Sequence, residues 1–303
     1  MHVFSAKNVT VAYRGGSRAL RGFDLDFEGD CLAVVGGEKD GKTTLINAIA
    51  GLIGYSGEFV LDGVSLSKKP QGARVQAILE DYCILKRKTV RENVCYPLYV
   101  RGADTAPAEK AIDEFGLRKY ADVRAKNVKD NVKPYIAVAR LGLVKRDLYL
   151  FDDVLRALGK DEKGGFLSKL KEISLNLEGM KIFATSDIDE ARVMGDKIVV
   201  LYGGVIEQYG TYEELLEKPL SNKVAEIMSR GNAVFRPTVL REYQGRLIVR
   251  CDDETVTLEE GSANRLIDKR YIGREVQVAK YAAGKTVKYL LTDSETDKSI
   301  LRL

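Results

Sequence analysis

One stretch constrains this chain more than any other: Val34-Val35-Gly36-Gly37-Glu38-Lys39-Asp40-Gly41-Lys42-Thr43-Thr44-Leu45. Gly36, Gly41, Lys42 and Thr43 fit G-x-x-x-x-G-K-[ST], the phosphate-binding loop. The run Cys31–Val35 before it reads as a short buried strand, and Thr44–Ala50 after it as a helix with an apolar face. Strand, glycine turn and helix start bring backbone N–H groups and the positive end of a helix dipole around a phosphate. Lys42 is then placed for the β- and γ-phosphates, and the Thr43 hydroxyl for Mg²⁺. Glu38 and Asp40 add two negative charges here and Lys39 returns one, so with Lys42 the loop is formally neutral. The expectation is a grip weakened by ~10-fold or more.

The chain of 303 residues, 45% hydrophobic and 30% charged, suits about two globular domains. No run approaches the 18 or more apolar residues a membrane helix needs, and Met1–Ser5 has no signal-peptide core. The cysteines at 31, 83, 95 and 251 are far apart, which suggests reduced, buried thiols. A mild, well-mixed net charge of +4 argues little for nucleic acid, and no nucleic-acid partner is expected. There is one histidine, His2, at the N-terminus. Any histidine base, metal ligand or γ-phosphate sensor within the body of the fold is thereby excluded.

Residues 3–14 and the alternating Gly22–Phe27 read as strands with one buried face, and Gly57–Gly63 as a further strand. Thr105–Val123 is helix-rich and Tyr135–Val144 a second helix. Leu148-Tyr-Leu-Phe-Asp152-Asp153 is an apolar strand ending in two acids. Lys181–Thr185 and Lys197–Tyr202 are strands flanking a helical Asp187–Met194. Strands alternating with helices indicate a parallel sheet with the loop at its carboxyl edge. From about Ala233 the texture changes to short strand-like runs at Gly245–Cys251, Thr255–Leu258, Arg274–Tyr281 and Lys285–Leu291. These predict a small all-β barrel or sandwich, with the boundary at Ser229–Ala233. The expected fold class is α/β: a P-loop nucleotide-binding core over residues 1–232, with a helical subdomain at about 82–145, and a β domain over 233–303.

With these landmarks placed, the chain resembles the nucleotide-binding subunit of ABC transporters, of the importer type with a C-terminal TOBE- or OB-like domain. Val11-Ala-Tyr13 looks like the aromatic loop whose ring stacks on adenine, Thr89–Val94 like the segment after the loop that meets the membrane subunits, and Gly203–Thr211 with Glu213–Pro219 like the end of an importer core. The resemblance implies ATP and Mg²⁺ as cofactors. Gly36, Gly37, Glu38, Lys39, Asp40, Gly41, Lys42, Thr43, Thr44 and Tyr13 would grip the nucleotide, and Thr43, Asp152 and Glu80 would lie around the metal.

The catalytic positions depart from the family. Its loop glutamine falls on Glu80, with Gln76 four residues away, and its signature Leu-Ser-Gly-Gly-Gln falls on Val128, Lys129, Asp130, Asn131 and Val132. The catalytic glutamate is Asp153, the D-loop aspartate is Gly159, and the switch histidine is Ser186. Asp153 stops about 1.5 Å short of where a glutamate would reach, Ser186 cannot charge-stabilise a γ-phosphate, and Asp130 or Asn131 is expected to cap the helix near Pro134. The resemblance thus implies a degenerate ATP-binding subunit of an importer for sugar or a similar solute, with little or no hydrolysis of its own. It would pair with a second, competent nucleotide-binding subunit, heterodimer favoured, and with transmembrane permease subunits at the cytoplasmic face of the membrane. The alternative is a structural or regulatory subunit that binds no appreciable nucleotide.

Overall fold

The computed structural model describes residues 1–13, 18–66 and 74–229, and beyond them mainly strand segments between 234 and 302. The expected boundary lies, past Ser229, outside the described residues. The chain divides into two compact units, Met1–Lys197 with Gly203–Val205, and Ile198–Tyr202 with Ile206–Leu303.

In the first unit β1 (His2–Ala12) and β2 (Arg18–Gly29) pair antiparallel, and β1 also pairs with β4 (Ser56–Leu61), which turns back into β5 (Val64–Ser65). Every second residue of Phe23–Phe27 is buried, as the alternation predicts. Between these strands run β3 (Cys31–Val35) and α1 (Lys42–Ile49). β3, together with β6 (Val75–Ile78), β7 (Leu148–Asp152) and β8 (Met180–Thr185), forms a parallel array in the order β3-β8-β7-β6. β3, β7 and β8 are buried along their whole length, which is why they read as unbroken apolar runs. The parallel register sets Val35 beside Thr185, Asp152 beside Ala184 and Ile78 beside Phe151. The segments leaving β3, β6, β7 and β8 therefore emerge at one edge.

Among the described residues, two apolar clusters pack the array and the helices beside it. One packs Phe151, Phe183, Val154, Leu155 and Leu170 around the array and α5 (Lys160–Leu175). The other gathers Val90, Val94, Leu98, Ala108, Ile112 and Ile136 from α2 (Val90–Tyr99), α3 (Ala106–Glu114) and α4 (Lys133–Val138). α2 opens on a reciprocal cap, Thr89 with Glu92. Ile84, Phe115 and Tyr135 pack against both clusters. The unit's chain continues through α6 (Ile188–Met194).

In the second unit α7 (Tyr212–Glu217) and α8 (Asn222–Met228) precede a four-stranded and a three-stranded antiparallel arrangement. The first contains Val234–Val239, Glu275–Ala283, Thr286–Asp293 and Ser299–Arg302, and the second Arg241–Tyr243, Arg246–Cys251 and Glu254–Leu258. Asn222 of α8 donates to Gln277 at 2.6 Å and accepts from the Thr292 hydroxyl at 2.7 Å. No helix of the described residues is long and apolar enough to cross a membrane.

Candidate functional site

The edge where the parallel strands end opens into a cleft of about 850 Å³. β3 delivers the glycine loop, β7 delivers Asp152 and Asp153, β8 delivers Ser186, and Glu80 follows β6 by two residues. Gly41 stands at the start of α1 with φ 106°, a conformation that suits glycine.

The loop geometry changes the meaning of its charges. Glu38 and Lys39 are exposed, whereas Asp40 is buried. Asp40 Oδ2 accepts the Gly37 N–H at 2.6 Å and Oδ1 accepts the Gly203 N–H at 3.0 Å, while its main-chain oxygen accepts the Gly204 N–H at 3.0 Å. Gly204 lies at φ +81°, and a Cβ there would sit 2.5 Å from the Ala19 oxygen. The acid that looked like a phosphate repellent is a clamp between the loop and the 203–204 turn. Asp40→Ala is expected to lower stability by about 2–4 kcal/mol, because two N–H groups lose a charged acceptor. Thermal unfolding checks this, and a midpoint within about 1 °C of wild type would contradict it.

Lys42 is buried, with Nζ donating to the main-chain oxygens of Gly36 at 3.0 Å and Gly37 at 2.8 Å. Its ammonium is thus held over the loop's hollow. Thr43 Oγ1 donates to Asp152 Oδ1 at 3.1 Å. Asp152 is fully buried, and its Oδ2 has no hydrogen-bond partner. Burial, joined by the charges of Asp153 and Glu80, pushes the Asp152 carboxyl up to about 6 against the pull of Thr43 and Lys42. A buried carboxylate oxygen left unpaired beside a threonine hydroxyl fits a divalent cation. Among the described residues no group of three or more His, Cys, Asp or Glu side chains is gathered for a metal. Mg²⁺ takes one or two protein oxygens and shares the rest with phosphates and water, so Thr43 and Asp152 are a donor set it could use.

Tyr13 lines the cleft half-exposed, and its hydroxyl shares a 3.1 Å hydrogen bond with Thr44 Oγ1. Glu80 lines the cleft, where Oε1 accepts from Arg156 Nη1 at 3.3 Å, while Gln76 is turned to the Arg140 carbonyl at 3.2 Å. Asp153 takes a left-handed φ of 46°, its N–H held by the Ala184 oxygen at 2.9 Å, and its Oδ1 accepts the Ser186 N–H at 3.2 Å. Its carboxylate is tied to the neighbouring strand end.

The 128–132 segment does not belong to this cleft. Val128 and Val132 are buried, Lys129 and Asp130 are exposed, and Asn131 donates to Glu162 at 3.0 Å. The expected cap is not formed. α4 begins at Lys133 with no side-chain cap, because Asp130 accepts the Lys133 ammonium at 2.5 Å and Asn131 is drawn to α5.

Four charged cleft residues were missed in the sequence, Arg18, Arg156, Lys163 and Glu190, as were Ala19, Thr185 and Gly203. Lys163 Nζ lies 3.0 Å from Glu190 Oε1, and the Thr185 hydroxyl donates to Glu190 Oε2 at 2.6 Å. No motif in the sequence marks any of these charged residues. Arg140, whose proton affinity burial lowers, donates to the oxygens of Tyr82 at 2.5 Å and Cys83 at 3.0 Å, both in positive φ. It fixes the turn that follows Glu80.

Comparison with known proteins gives consistent matches. A family model described as ABC transporter matches residues 20–156. The chain is 31% identical to the sulfoquinovosyl glycerol transport ATP-binding protein SmoE of Agrobacterium fabrum over 68% of its own length and 60% of that protein's. It is 27% identical to the sn-glycerol-3-phosphate import ATP-binding protein UgpC of Vibrio cholerae, covering 78% of this chain and 66% of that one. It is 28% identical to the trehalose import ATP-binding protein SugC of Mycobacterium tuberculosis, covering 77% and 61%. The chain thus spans about 60–66% of the length of these relatives. The dimeric ATP-binding cassette MJ0796 bound to ADP and phosphate superposes with a TM-score of 0.61 at 23% identity, covering 69% of this chain and 98% of that one. That likeness establishes the fold: a mixed α/β P-loop cassette.

Proposed function

We propose, from the premise that residues 20–156 carry an ABC transporter ATPase domain, that this chain is an ATP-binding subunit of an importer. In this reading it holds Mg-ATP through Gly36–Thr44 and hydrolyses it poorly. The observation that carries the binding half is the pair Thr43–Asp152 with the unpartnered Asp152 oxygen, at the mouth of a correctly formed loop. Thr43 and Asp152 would hold the metal, which when bound neutralises phosphate charge. Lys42 needs only to exchange two main-chain oxygens for phosphate oxygens.

The poor-hydrolysis half rests on Asp153 and Ser186. Neither side chain is long enough for the usual role at its position, and the Asp153 carboxylate is committed to the Ser186 N–H. A general base displaced on this scale costs ~10²-fold or more. The relatives are named for import of trehalose and sn-glycerol-3-phosphate and for transport of sulfoquinovosyl glycerol. A sugar or a similar polyol conjugate is therefore the solute class we propose. The chain would sit at the cytoplasmic face against permease subunits, in a heterodimer with a nucleotide-binding subunit whose own catalytic residues are intact. Segment 128–132, with a cation and an anion exposed, would face that partner's nucleotide.

Equilibrium binding of Mg-ATP to the purified chain, together with its turnover, tests both halves. Binding at micromolar to millimolar nucleotide with turnover well below about one per second is expected. No binding at millimolar Mg-ATP would favour a purely structural subunit, and turnover at or above about one per second would overturn the degenerate reading.

A further inference from the structure

We propose that Arg156 is the cation with which this chain holds the terminal phosphate of a nucleoside triphosphate, in place of a histidine at the position that Ser186 occupies. The assignment rests on the nucleotide-binding reading above and adds a residue to it.

Arg156 has a fixed root and a free end. Its N–H is donated to the Asp153 oxygen at 3.0 Å, and the next N–H, of Ala157, to the Tyr82 hydroxyl at 3.2 Å. Val154, Leu155 and Leu158 around it are buried in the core. The guanidinium lines the cleft with its side chain 67% exposed, and it meets Glu80, itself 47% exposed, at 3.3 Å. An ion pair so open to solvent is held weakly and exchanges readily for a more highly charged partner.

Of the other cations on the cleft wall, Lys42 and Lys163 are engaged, while Arg18 and Lys39 stand on β2 and on the glycine loop. Lys42 covers its own loop. Lys163 is taken by the buried Glu190, which Thr185 holds in turn. Arg18 pairs in register with Ala12, beside Tyr13. Lys39 stands exposed at the loop's crown. Arg156 remains, one turn beyond Asp153, at the strand edge that also presents Ser186. A guanidinium presents a planar fork of N–H donors that matches phosphate oxygens two at a time. Glu80 holds that fork over the cleft and yields it when a triphosphate arrives. A diphosphate, lacking the terminal group, leaves the pair with Glu80 intact.

The test is the affinity of purified wild-type, Arg156→Ala, Arg156→Lys and Glu80→Gln chains for Mg-ATP and for Mg-ADP, with thermal unfolding as the control for folding. Arg156→Ala is expected to weaken Mg-ATP binding about 10–100-fold and to leave Mg-ADP unchanged. Arg156→Lys should recover part of the loss, and Glu80→Gln, which keeps a side-chain oxygen for the metal but removes the competing anion, should tighten Mg-ATP about 3–10-fold. Equal losses for both nucleotides, or no loss for either, would overturn the assignment while leaving nucleotide binding standing. A wild-type chain that binds neither nucleotide at millimolar concentration would remove the nucleotide-binding reading and this assignment together.

Discussion

The Asp152→Asn protein is expected to be more stable than wild type at neutral pH without nucleotide, and to lose its Mg²⁺-dependent grip on ATP. Burial raises the Asp152 carboxyl from 3.8 to about 6. Above pH 6 the folded chain therefore carries a buried charge that the unfolded chain would expose to water. The shift of about two units corresponds to about 3 kcal/mol, an upper limit for what asparagine relieves. The sign follows from proton counting. Between 3.8 and about 6 the folded state binds the proton and the unfolded state does not, so wild-type stability from this group rises as pH falls through 6 and levels off below 4. Asparagine removes that slope while its carbonyl still accepts from Thr43.

Asparagine offers a divalent cation no charge, however, so the Mg²⁺ enhancement of ATP binding should fall about 10–100-fold or more. In thermal unfolding the variant should start several degrees higher and gain little from Mg-ATP, whereas wild type starts lower and gains by mass action. A variant less stable than wild type at pH 7 would mean that the Asp152 charge is compensated in the folded chain.

The second large effect concerns turnover. Asp153→Glu combined with Ser186→His should raise ATP turnover by ~10²-fold or more, but only alongside a partner subunit that brings a working signature segment. The added methylene carries the carboxylate about 1.5 Å further into the cleft. It also frees it from the Ser186 N–H, to which Asp153 Oδ1 is bound at 3.2 Å. Both positions lie at the ends of adjacent strands, so the two changes act on one spot. The double variant assayed alone should stay slow, because residues 128–132 are unchanged. A full rate from the double variant alone would show that the segment is not limiting. No gain even with a competent partner would show that Asp153 and Ser186 are not what slows the chain.

Much of this was legible in the linear chain, for identifiable reasons. Long apolar runs flanked by glycine and acids gave the buried strands, since a strand covered on both faces has no room for polar residues. The glycine loop fixed where the site lies, because its spacing is tied to the strand before it and the helix after it. What stayed hidden depended on side-chain direction. Asp40 counted as a charge facing phosphate, and nothing in its neighbours said that it turns inward to Gly37 and Gly203, the latter distant in sequence. Asn131 read as a cap, but its partner Glu162 lies on another helix. Lys163 and Glu190 carry no motif, and only the fold closes them together on the cleft wall. Long-range pairing of polar groups leaves no periodic trace.

The inward turn of Asp40 sets how a nucleotide meets this protein. With residues 37, 40, 203 and 204 tied together, the loop takes its shape when the chain folds, and the entropy of ordering it is spent then rather than at association. A ligand arriving at such a loop encounters a ready mould. Its capture rate is expected to follow encounter rather than a closure step.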